Sequence, residues 1–210
     1  MKLLRSISLL ALALADTSCK KSAPTTPNYA AAINAYYQAH PFCLWPEEKR
    51  FPVQAATSDE GKTQGYDALV DQGLLTRTTS EKHILIISRQ QNNYDISPQG
   101  RPAWSADANQ PGFGNFCFGH RRVSTVDSNT PTSDQPGATV TVNYHYTLAD
   151  VPAWANAAET RTAFPRVEAA LAGPQAATAT LTNTSQGWQV SSHDPESSNR
   201  ASPADGRIVQ

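Results

Sequence analysis

The chain has 210 residues and a formal charge of −1, with 39% apolar and 17% charged side chains. That length holds one domain or two small ones. The near-neutral balance leaves no electrostatic footprint for nucleic acid or for an anionic membrane surface, so neither is expected as a partner on grounds of charge.

Lys2 and Arg5 form a short positive start, and Ile7 to Ala15 is apolar except for Ser8. Nine residues suit the apolar region of an export signal and reach only about half a membrane span. Asp16-Thr17-Ser18-Cys19 resembles the signal of bacterial lipoproteins, in which a cysteine follows two small residues. By that resemblance residues 1–18 are a signal peptide and Cys19 is the lipidation site. The chain would then sit in the cell envelope, anchored to a membrane through its lipid. Asp16 departs from the pattern, which prefers an aliphatic residue there. Ala13-Leu14-Ala15 is a rival site for the ordinary signal peptidase, which would leave a soluble periplasmic or secreted protein. Cysteine arithmetic favours the lipoprotein. There are three cysteines, and lipidating Cys19 leaves Cys43 and Cys117 to form a disulfide. Lys20 follows the cysteine, where an aspartate would mark inner-membrane retention, so the resemblance points to the outer membrane.

Residues 19–27 read as a polar tether. Asn28 to His40 predicts a helix with Tyr29, Ile33 and Tyr36 on one face, and Pro41 ends it. Phe42 to Pro46 is a compact apolar knot expected to be buried, and Lys49 to Val53 a short extended piece. Thr63 to Gln72 predicts a second helix with Tyr66, Leu69 and Val70 inward, stopped by Gly73. Leu74 to Arg77, His83 to Arg89 and Tyr94 to Ile96 read as three strands. Ser97 and Pro98 then suit the start of a helix.

Leu69, Gly73-Leu74-Leu75-Thr76-Arg77 and Tyr94-Asp95-Ile96-Ser97-Pro98-Gln99-Gly100-Arg101 resemble part of a winged helix, over about forty residues. In that family the helix before Gly-Leu-Leu enters the DNA major groove. Here it carries Asp67 and Asp71 with no basic residue after Lys62. Together with the export signal this argues against DNA, and no nucleic-acid partner is expected.

Residues 103–115 are rich in Pro, Gly, Asn and Asp and predict a linker between residues 28–102 and residues 116–191. Phe116 to Val126 reads as a strand. Thr139 to Leu148 alternates strictly, with Val140, Val142, Tyr144, Tyr146 and Leu148 on one face, as in an antiparallel sheet with one wet side. Asp150 to Ala172 is helical and split by Pro165. Ala176 to Asn183 and Gly187 to Ser191 form a hairpin, with Leu181, Trp188 and Val190 as core. Residues 192–210 read as a disordered tail.

The fold expected is α+β: a small helix-plus-β-wing N-terminal half, then an antiparallel sheet packed by one helical segment. No nucleophile elbow, phosphate loop or metal-ligand spacing is present, so no catalytic residue, cofactor or metal is expected. His120, Arg121 and Arg122, with His145 on a neighbouring strand, form a possible ligand or anion surface. The aromatics of the second half offer an apolar pocket if they line a concave face. The function expected is a non-enzymatic binding or interaction module of the envelope. The alternatives are an envelope hydrolase with a non-standard site and a purely structural envelope protein.

Overall fold

The computed structural model describes residues 27–84 and 87–193. The signal, Cys19, most of the tether and residues 194–210 of the expected tail lie outside the described residues.

The fold is α+β. Helix α1 spans Tyr29–Gln38, and its N-cap Asn28 accepts a hydrogen bond from the Ala31 N–H. Its buried face is Tyr29, Ile33 and Tyr37, so Tyr37 and not Tyr36 goes deepest. Strands β1 (Lys49–Arg50) and β2 (Val53–Ala56) precede α2 (Glu60–Asp71). Asp59 caps α2 three residues earlier than the apolar pattern suggested, because its carboxylate takes the Lys62 N–H. Gly73 ends the helix region at φ 72°, where a glycine is unstrained.

Two long strands follow, β3 (Leu75–Ile84) and β4 (Ile87–Ile96), paired antiparallel from Leu75↔Ile96 to Ile84↔Ile87. The expected apolar strand His83–Arg89 is therefore corrected. The chain reverses inside that run, and its two ends belong to opposite arms of one hairpin. Strand β2 adds to β4, so the wing is a three-stranded sheet in the order β2-β4-β3. The helix expected after Ser97 is only a turn. Ser97 Oγ accepts the Gly100 N–H at 2.7 Å, and a single 3₁₀ turn covers Arg101–Ala103.

The expected linker is also corrected. Residues 103–115 contain β5 (Trp104–Ala106) and most of β6 (Phe113–Phe116), which with β1 make a second sheet in the order β1-β6-β5. Trp104 lies edge-on to Phe116 at 5.0 Å, so this stretch belongs to the core.

Strand β7 begins at His120 and runs to Asn129, later than expected, since residues 116–119 pair instead with Phe42 to Leu44. Strand β8 (Thr139–Ala149) has the predicted alternation, with Val140, Val142, Tyr144 and Tyr146 buried. Helices α3 (Ala153–Asn156), α4 (Ala158–Ala163) and α5 (Pro165–Leu171) follow. Strands β9 (Gln175–Thr184) and β10 (Gly187–His193) complete a four-stranded sheet in the order β10-β9-β8-β7.

The two halves exchange their helical cover. The four-stranded sheet is covered mainly by α1, through Tyr29, Ile33 and Tyr37 against Val140, Val142, Tyr144 and Leu181. The helical segment α3–α5 packs chiefly toward α2, and Trp154, Phe164 and Val167 share a core with Leu69, Tyr94 and Phe116. The expected split into residues 28–102 and 116–191 thus does not describe how the core is divided.

The Cys43–Cys117 disulfide is present, with a sequence separation of 74. Around it Phe42 and Gly119 exchange backbone bonds with their neighbours, Phe42 N–H to Gly119 O at 2.8 Å and Phe118 N–H to Phe42 O at 2.7 Å. The apolar knot is a short strand-like segment laid beside residues 116–119. Leu44 within it is fully buried, while Pro46 is exposed.

Candidate functional site

The four residues expected to form an anion surface are not on one surface. Successive strand residues point to opposite faces, and Arg121 points inward. It is 1% exposed, with its guanidinium 4.5 Å from the Tyr37 ring centre and 4.4 Å from that of Tyr146. It donates to the Tyr37 hydroxyl at 3.0 Å and to the Tyr144 hydroxyl at 3.3 Å. It is a core residue, and is corrected as a surface ligand. His120 is also buried, with Nδ1 3.6 Å from an Asp150 carboxylate oxygen. Arg122 is exposed on the outer face, opposite Thr147. His145 lies on that same face with Nδ1 2.7 Å from Asp127, so a carboxylate already occupies the position an anion would take. Among the described residues no three His, Cys, Asp or Glu side chains converge as a metal site.

The structure instead builds a hollow of about 300 Å³ that joins distant parts of the chain. Its aromatic lining is Trp45, Tyr66 and Phe164. Trp45 is held by Asn115, a buried residue whose side-chain oxygen accepts the Trp45 N–H at 3.2 Å. The Asn115 amide in turn donates to the Trp45 carbonyl at 2.8 Å. The Trp45 ring then meets Phe164 edge-on at 6.2 Å and Tyr66 at 6.3 Å. Tyr66 comes from α2 and leans on Tyr94 at 5.0 Å. Burial pushes the Tyr66 phenol above its ordinary value, so it remains a neutral donor. Phe164 sits where Pro165 separates α4 from α5. Its approach to α2 depends on Gly65, where a Cβ would stand 3.1 Å from the ring tip.

The polar part of the lining is Lys49, Gln54, Lys62 and Gln64. Lys62 is ion-paired with Asp59 at 2.7 Å. Hydrogen bonding between them raises the ammonium and lowers the carboxyl from their ordinary values. Lys49, half-buried on β1, has no ion pair among the described residues. The Gln54 side-chain oxygen accepts from Gln91 at 3.2 Å, which leaves its amide hydrogens for other acceptors. Among the described residues no carboxylate lines this hollow.

A larger, open trough of about 670 Å³ adjoins it between α2 and α4, and Gln64 and Ala163 line both. It is opposite in character, gathering Glu60, Asp67, Asp71 and Glu159. Asp67 is committed to the fold. It accepts from Arg77 at 2.7 Å and from the Tyr94 hydroxyl at 2.9 Å. This acidic trough lies along the helix that in a winged helix would face DNA, where its charge repels phosphate.

Sequence reading placed the aromatic site in the second half. Of the three rings that build the hollow only Phe164 belongs there. The missed signal was Trp45 beside Cys43, since the bridge that ties Cys43 to Cys117 also holds Trp45 against the rest of the core. Neither a family profile, nor a curated protein, nor a solved structure matches the chain.

Proposed function

We propose that this chain is an exported envelope protein, lipidated on Cys19, that acts as a non-enzymatic binding module for a small molecule held in the Trp45–Tyr66–Phe164 hollow. The observation that carries the reading is that hollow, whose lining combines three aromatic rings with four polar side chains, the composition typical of ligand pockets. The Cys43–Cys117 bridge supports an oxidising workplace, and the pattern around Cys19 supports attachment to a membrane.

Binding is tested by titrating the purified chain with the uncharged fluorophore N-phenyl-1-naphthylamine. A saturable signal is expected. It should be lost in Gly61→Trp, because Gly61 lines the hollow and a Cβ there meets only Asp59 Oδ1, at an ordinary 3.9 Å. An unsaturable signal, or one unchanged in Gly61→Trp with normal folding, would remove the hollow as the site. Attachment is tested by intact mass spectrometry of protein from its native membrane. A diacyl- or triacylglyceryl adduct on Cys19 is expected, and a mature chain starting at Asp16 with a free thiol would exclude it.

The acidic trough favours a second reading, an envelope hydrolase using Glu159 with Glu60 or Asp71. Hydrolysis of a chromogenic glycoside panel that disappears in Glu159→Gln would establish it.

A further inference from the structure

We infer that the hollow selects an amphipathic organic anion: a flat ring body seated against Trp45, Tyr66 and Phe164, with an acid group at Lys49. This rests on the proposed binding function and adds to it the chemical class of the ligand.

Charge complementarity carries the argument. Among the described residues the lining includes two ammonium groups and no carboxylate, the nearby Asp59 being paired with Lys62. Lys62 has its counter-ion in Asp59, but Lys49 has none among the described residues, although it is half-buried beside apolar surface. A cation in that position lacks part of its hydration and gains most from an anion that brings its own charge. The rest of the polar lining points the same way. The lining residues Tyr66, Trp45, Gln54 and Gln64 all carry N–H or O–H donors of the kind an acid group accepts from.

The ring body follows from the aromatic part of the lining. The Trp45 and Phe164 rings meet edge-on, and Tyr66 is tilted against Trp45. Rings set at such angles present both faces and edges to a flat guest. Orientation is set by the neighbouring trough. Glu60, Asp67, Asp71 and Glu159 lie beyond Gln64 and Ala163, so an acid group is repelled from that side and directed to the Lys49 side. A cationic guest meets the reverse field and is drawn out of the hollow into the trough.

Two probes with the same ring system separate the claims: 1-anilinonaphthalene-8-sulfonate carries an acid group, and N-phenyl-1-naphthylamine does not. Both are titrated against the full chain, with near-ultraviolet circular dichroism confirming native packing. The sulfonate is expected to bind roughly tenfold more tightly, the value of one charge-assisted contact. Raising the salt should weaken the sulfonate alone. Lys49→Met should abolish the difference between the two probes, and Lys49→Arg should restore most of it. Equal binding of the two probes, or a preference that survives Lys49→Met, overturns the anion selection while the hollow stands as an apolar site. Failure of both probes to bind overturns the underlying reading as well. If Lys49→Met alters the dichroism, the salt dependence of the unmodified protein decides, and a sulfonate affinity indifferent to salt overturns the proposal.

Discussion

Arg121 is a charge kept inside a core, which is costly unless its donors are satisfied. Here the rings of Tyr37 and Tyr146 lie within 4.5 Å of the guanidinium, and two phenol oxygens accept from it. Tyr37→Phe removes one acceptor while keeping the ring, and is expected to cost about 1–2 kcal/mol in urea unfolding. The same phenol makes stability depend on alkali. Burial pushes Tyr37 up from its ordinary value near 10, against the smaller opposite pull of Arg121. A group raised in the folded state contributes its full stability below the unfolded value and loses it as pH rises toward the folded one. Stability should therefore fall above about pH 10, and Tyr66 and Tyr94, both raised by burial, add to the fall. Urea midpoints from pH 8 to pH 11 check this, and the slope should be shallower in Tyr37→Phe.

Helix α2 forms one wall of the hollow, and its position is set at both ends. At its C-terminus Gly73 adopts a left-handed conformation, and Leu74 N–H closes onto Leu69 O at 2.9 Å. Gly73→Ala adds strain there and places a Cβ 2.9 Å from Gln99 Oε1. A loss of about 1 kcal/mol or more is expected in thermal or urea unfolding. Along its length α2 is tied to the wing by a polar relay. Thr79 donates to Asn92, Asn92 to the Tyr94 hydroxyl, and Tyr94 to Asp67, which Arg77 also holds. The relay explains why a helix with a polar, acidic outer face remains docked. It also explains why the wing strands could be misread. Their side chains bond across the hairpin, so Thr, Asn and Gln stand where an apolar alternation was sought, and only the apolar run near the reversal stood out.

Across the molecule the disulfide and the exchange of helices act together. Helix α1 belongs by sequence to the first half and by packing to the last sheet, and the bridge at Cys43 lies just after it. The loop it closes spans a separation of 74 residues, worth about 4 kcal/mol by the chain-entropy argument. Cys43→Ser with Cys117→Ser should lower stability by about that amount, read from urea unfolding of the oxidised and doubly substituted proteins. A loss below about 1 kcal/mol would mean that the flanking backbone pairs already hold Phe42 to Leu44 in place.

The sequence alone determined what depends on local periodicity and on chain chemistry. Strand β8 was legible because its alternation matches a sheet with one buried face, and α1 because its apolar residues repeat with a helical period. The Cys43–Cys117 pairing followed from the cysteine count once Cys19 was read as lipidated. The exported, lipid-anchored state is an expectation from residues 1–19 and rests on the signal pattern. Tertiary structure decided the rest. It turned a Gly- and Pro-rich stretch into β5 and β6, since pairing with β1 and the burial of Trp104 and Phe116 outweigh local turn preference. It placed Arg121 inside, since strand alternation sends neighbours to opposite faces. It also assembled the hollow, because Trp45, Tyr66 and Phe164 lie on separate elements and meet only when the helical segment of the second half packs on α2.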